Sequence, residues 1–139
     1  THCKRKGRPM SESHAVAYQA LRARVREVVE RADASALDAV VPATPSWRGR
    51  DVLAHMVGVT DDVVHGRMDG VASDPWTQAQ VDARTKLGPG ELFAEWDEYG
   101  PQFEELLAAF PTIELTGEPV RIRSNLNNGL KALPVRLAR

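Results

Sequence analysis

The sequence predicts an all-α protein, an up-and-down helical bundle whose fourth helix is missing or replaced. Three observations carry that prediction. Long segments place apolar residues at three- and four-residue steps, the loops between them are short and marked by Gly and Pro, and the single Cys excludes a disulfide framework. With 139 residues, 42% of them hydrophobic and 27% charged, the chain has the size and composition of one ordinary globular domain.

The first helix is expected from Ser13 to about Asp33, where Val16, Ala17, Ala20, Leu21, Val25, Val28 and Val29 alternate with Arg22, Arg24, Arg26, Glu27 and Glu30. The serines on either side of Glu12 offer its N-cap. A loop with Pro42, Pro45 and Trp47 leads to a second helix from about Gly49 to Arg67, with Val52, Leu53, Met56, Val57, Val59, Val63 and Val64 apolar. Asp51 falls in its first turn, where a negative charge suits the helix dipole. Asp74-Pro75-Trp76-Thr77 reads as a turn before a shorter helix from Thr77 to Leu87, stopped by Gly88-Pro89-Gly90. A third long helix follows from Glu91 to about Phe110, and Gly100-Pro101 is expected to kink it. Beyond Pro111 the helical period disappears, and no fourth long helix is readable.

The formal net charge of −1 conceals a division. Lys4, Arg5, Lys6 and Arg8 precede any acid, and Arg121, Arg123, Lys131, Arg136 and Arg139 follow the last one, whereas all 19 acids lie between Met10 and Val120. Residues 1–9 are therefore expected to be a basic leader outside the fold, 10–111 the helical domain, and 112–139 an irregular basic tail, truncated or frameshifted. The leader has no apolar run of the kind a signal peptide needs, and no stretch approaches the ~20 apolar residues that span a bilayer. A cytoplasmic protein is expected, with no membrane partner. The basic ends lack interleaved aromatics and a recognition helix, so nucleic acid is not an expected partner.

His55 is the residue of most chemical interest. On a 3.6-residue period it shares a side with Val52, Val59 and Asp62, at the edge of the apolar stripe, which directs it toward the bundle interior or its mouth. A neutral imidazole there suits a divalent metal if ligands arrive from other helices, and a lone histidine on an apolar face is more often a hydrogen-bonded core histidine. His65 lies ten residues further on, too far to share an ion, and next to Gly66 it reads as a C-terminal cap. Of the neighbouring acids only Asp62 faces the His55 side, as a solvated rim carboxylate. Trp47 reads as a staple between loop and core, and Trp96 as a core residue. Cys3, in the basic leader, is a poor nucleophile.

The run Pro45-Ser46-Trp47-Arg48-Gly49-Arg50-Asp51-Val52-Leu53-Ala54-His55 resembles the N-terminal metal-binding domain of the mycothiol-dependent maleylpyruvate isomerase family, within the DinB-like four-helix-bundle superfamily of actinobacteria. Pro45, Trp47, Asp51 and His55 match its spacing in register, and Asp74-Pro75-Trp76-Thr77 and Leu92 to Trp96 are also similar. The resemblance covers about Ser13 to Pro111. It implies a DinB-like bundle and a divalent metal, usually zinc, held by His55 and by a Glu and a His one turn apart on a fourth helix. It further implies mycothiol as thiol cosubstrate, activated by the metal for addition to an electrophilic small molecule in an isomerase or S-transferase reaction. No histidine follows His65, however, and one histidine does not hold a zinc that needs three protein ligands. The resemblance thus implies the family's chemistry, with an incomplete site expected in this chain. The alternative is a non-catalytic helical module whose open bundle face pairs with a partner helix or a second copy in a homodimer.

Overall fold

The computed structural model describes residues 13–110, 112–118, 120–121, 130–132 and 135–138. Among them are five helices: α1 (His14–Arg31), α2 (Ala34–Asp38), α3 (Gly49–Val64), α4 (Asp74–Asp82) and α5 (Pro89–Ala109). The all-α class and the three long helices agree with the sequence reading. The Ser13 side chain accepts from the Val16 N–H at 3.3 Å and starts α1. Helix α3 begins with the Asp51 carboxylate accepting from the Arg48 N–H at 2.7 Å, and it ends two residues before Gly66, whose φ of +69° turns the chain away. Helix α4 starts at Asp74 rather than Thr77, because the Ser73 hydroxyl takes the capping position and Pro75 is tolerated in the first turn.

The long helix α5 lies against both α1 and α3, and α3 also packs against α4. Leu53, Ala54, Val57, Leu92, Phe93 and Trp96 form the core between α3 and α5, with Tyr18, Val25 and Val29 of α1 packed on it. Each fully buried large side chain there contributes on the order of 1.5–3 kcal/mol. Gly100-Pro101 does not interrupt α5, which runs through to Ala109.

The segment expected as a loop after α2 is a small antiparallel hairpin of β1 (Val40–Val41) and β2 (Thr44–Arg48). In the segment expected to be irregular, β3 (Thr112–Leu115) pairs antiparallel with β6 (Val135–Ala138), and β4 (Val120–Arg121) with β5 (Leu130–Ala132). The second ladder is nested inside the first. The expected leader, residues 1–9, lies outside the described residues, as do parts of the tail.

Candidate functional site

His55 sits midway along α3, half-buried, one turn beyond Asp51 and facing α4. Its ring is held on two sides. Trp47, at the end of β2, lies tilted against it with ring centroids 5.3 Å apart, and its indole N–H donates to Gln78 of α4 at 3.1 Å. Trp47 thus joins the hairpin to α3 and α4 through His55 and Gln78, rather than to the core as the sequence suggests. On the other side the His55 Nδ1 is 2.7 Å from Gln80 Oε1. Trp47 also lines a surface cleft of ≈ 270 Å³ with Thr44, Ser46, Asp74, Thr77 and Gln78.

Gln80 is the residue that sequence reasoning missed. It is 3% exposed, and its Nε2 donates to Asp62 Oδ2 at 2.7 Å, so one amide bridges two side chains on the same face of α3. The space for it comes from Gly58, between them, where an added Cβ would lie 2.5 Å from Gln80 Cβ. A glutamine on a polar-looking segment next to a glycine within a helix is a weak signal, because only packing of α4 on α3 brings the two together. Asp62 departs from expectation as well. It is a largely enclosed carboxylate, bonded to Gln80 and ion-paired with Arg67 Nε at 2.8 Å, because α4 folds over the end of α3.

An ionic cluster adjoins this chain of hydrogen bonds. Arg84, 7% exposed, donates to Asp61 at 2.9 Å, to the Gln80 carbonyl at 3.1 Å and to the Glu95 carboxylate. It ties α4 to both α3 and α5. Burial pushes the Asp61 carboxyl up, but hydrogen bonds from Arg67 and Arg84 and their positive charges outweigh it, and its pKa falls below the ordinary value. Burial likewise opposes the charged form of Arg84, and Glu95 and Asp61 more than compensate. His65 is the C-cap of α3, its Nδ1 2.9 Å from the Asp61 carbonyl oxygen, ten residues from His55 and edge-on to Tyr99. Trp96 is a core residue, as its periodicity suggested.

A three-ligand zinc centre needs two partners for His55. Among the described residues no group of three or more His, Cys, Asp or Glu is placed to hold a metal ion. The nearest polar partner of His55 is an amide, itself engaged with Asp62. The described residues therefore do not fit the three-ligand centre, and among them the His55 ring has its hydrogen-bond partner at Nδ1. No helix among the described residues is long and apolar enough to cross a membrane.

No curated protein and no solved structure matches the chain. The family model described as the mycothiol maleylpyruvate isomerase N-terminal domain matches residues 18–124, which include Trp47, His55, Asp62, Gly58 and Gln80 and extend past Pro111 into the tail. With most of its length matched, the helical chain built around Trp47 and His55 belongs to the mycothiol maleylpyruvate isomerase N-terminal domain family.

Proposed function

We propose that this chain handles a low-molecular-weight thiol of the mycothiol type, and that His55 is the residue that meets the sulfur. The observation that carries the reading is the placement of His55: within the matched family region, in register with Trp47 and Asp51, with its ring fixed between Trp47 and Gln80. The hydroxyl, amide and carboxylate groups of the adjoining cleft suit the polar body of such a thiol. In the family pattern His55 stands where the second-helix ligand of a divalent metal, usually zinc, stands. The described residues hold no group of three or more His, Cys, Asp or Glu placed for a metal, and the proton transfer is assigned to the imidazole alone.

His55 Nε2 accepts the S–H proton, and the thiolate adds to the carbon of a conjugated double bond remote from its carbonyl. The former double bond, now single, rotates. Expulsion of the thiolate restores the double bond with the other geometry, and the imidazolium returns its proton to sulfur. If the enolate is protonated instead, the thiol stays attached, which is the S-transferase outcome.

The test is titration calorimetry of the full chain with mycothiol. Binding in the micromolar to millimolar range is expected, weakened at least tenfold in His55→Ala; equal binding by both proteins removes the reading. A parallel titration with Zn²⁺ on dialysed protein separates the metal role, since uptake that disappears in His55→Ala would transfer thiol activation from the imidazole to a metal held by His55 and residues outside those described.

A second reading rests on α1. Leu21 and Val28 are exposed on one side of α1, and such an apolar side suits a partner helix or a second copy of the chain. Sedimentation giving a stable monomer at high concentration, with no binding of a hydrophobic dye, removes it.

A further inference from the structure

A histidine can accept a proton or a ligand only at a nitrogen that carries no hydrogen, so the position of the single hydrogen of neutral His55 decides what the ring can do. Its neighbours determine that position. The Asp62 carboxylate accepts and does not donate; its Oδ1 receives Arg67 Nε at 2.8 Å and its Oδ2 lies 2.7 Å from Gln80. The atom of Gln80 facing Asp62 must therefore be the NH₂ group, which turns the amide oxygen toward His55 Nδ1 at 2.7 Å. An amide oxygen has no hydrogen to give, so the one between them is on Nδ1. Reversing the amide would set its oxygen against the carboxylate, and Gln80 is too deeply buried for bulk water to relieve that contact.

We infer that Asp62 and Gln80 are positioning residues that hold His55 as the Nδ1–H tautomer and leave Nε2 as its acceptor. Gly58 belongs to the same device. Its missing side chain lets the Gln80 stem lie against α3, so that one amide reaches His55 and Asp62 two turns apart. Arg67 fixes the far end by engaging Asp62, and Arg84 fixes the near end by donating to the Gln80 carbonyl. The inference deepens the reading that His55 meets the thiol, because only the Nδ1–H tautomer offers Nε2 to an S–H group.

Long-range ¹H–¹⁵N correlation of the imidazoles in the ¹⁵N-labelled full chain at pH 8, with His55 identified by its loss in His55→Ala, reads the tautomer directly. Nδ1 of His55 is expected at a protonated shift and Nε2 at an unprotonated one. Gln80→Leu removes the acceptor and is expected to move the ring toward Nε2–H, with mycothiol affinity falling about tenfold, the lower end of what loss of an outer partner costs a ligating histidine. The pair Asp62→Asn with Gln80→Glu reverses the donor and acceptor between residues 62 and 80 while again presenting an oxygen to Nδ1, and should restore Nδ1–H. An Nε2–H ring in the unaltered chain overturns the inference, as does an unchanged Nδ1–H ring in Gln80→Leu. Should His55→Ala bind mycothiol as well as the unaltered chain while the tautomer is Nδ1–H, the positioning stands and the thiol reading falls. The reverse pair of results, Nε2–H with His55-dependent binding, removes the positioning alone.

Discussion

Asp61 stands between two guanidinium groups and is mostly enclosed, so its charge is held by Arg67 and Arg84 rather than by water. Its carboxyl is depressed in the folded chain, and the linked stability is therefore present above the unfolded value near 4 and lost as the pH falls through the lower folded one. Asp61→Asn should cost about 1.5–3 kcal/mol at pH 7, as loss of hydrogen bonds to a charged group does, with the difference shrinking at pH 3. Urea unfolding of both proteins at the two pH values measures it; a gap that stays constant contradicts the ion-pair origin. At this scale the sequence disclosed the inward side of His55 and the cap at His65, because each stands at a spacing fixed by its own helix. It did not disclose Gln80 or the enclosed state of Asp62. Both depend on α4 lying across α3, a contact between residues 18 apart that no local period records.

Gly100 shows how one element is shaped to receive another. An added Cβ there would lie 2.1 Å from Arg22 Cζ, because the Arg22 guanidinium lies against the backbone of α5 while donating to Glu104 at 2.9 Å, Asp97 at 3.0 Å and the Trp96 carbonyl at 3.0 Å. Gly100→Ala gains helix propensity of about 1 kcal/mol but displaces Arg22 from these partners. A net destabilisation of about 1–2 kcal/mol is expected, and in an Arg22→Ala background the same substitution should become neutral or stabilising. Thermal unfolding of the four proteins closes the cycle; an equal effect in both backgrounds would place the cost elsewhere. The long helices were legible because amphipathic repeats of this length have one reading. The hairpin of β1 and β2 was not, since its strands are too short to show alternation and Pro45 within β2 argues against a strand. Helix α2, five residues long, is likewise below what periodicity resolves.

Across the whole molecule, burial is uneven. The α3–α5 seam is dry, with Leu92 at 1% exposure, whereas α1 has no fully buried residue and leaves Leu21 at 46% and Val28 at 56%. Leu92→Ala should cost about 2–5 kcal/mol by transfer and cavity terms, and Leu21→Lys should stay within about 0.5 kcal/mol. Chemical unfolding of the two variants compares them; a Leu21→Lys cost near that of Leu92→Ala would mean that the α1 flank is covered in solution. The all-α class followed from composition and period, and the family from the Trp47 to His55 spacing. The nested ladders after α5 did not follow, because register between strands is set by pairing across the sheet rather than by neighbours in the chain.

With α1 only partly buried, the packing of Val25 and Val29 on the core is joined by a polar fastening. The Trp96 indole N–H is shared between the Tyr18 hydroxyl at 2.8 Å and Thr60 Oγ1 at 3.0 Å, and Tyr18 donates to Thr60 at 2.6 Å while Thr60 donates to the Met56 carbonyl. One atom from each of α1, α3 and α5 thus meets at a single point in the interior. Detaching α1 would take the Tyr18 hydroxyl from this junction and leave the indole and the threonine to each other and to the Met56 carbonyl, so the contact that ties α1 to both neighbours is lost in one step. Amide exchange of α1 is therefore expected to quicken in Tyr18→Phe while that of α3 and α5 stays slow.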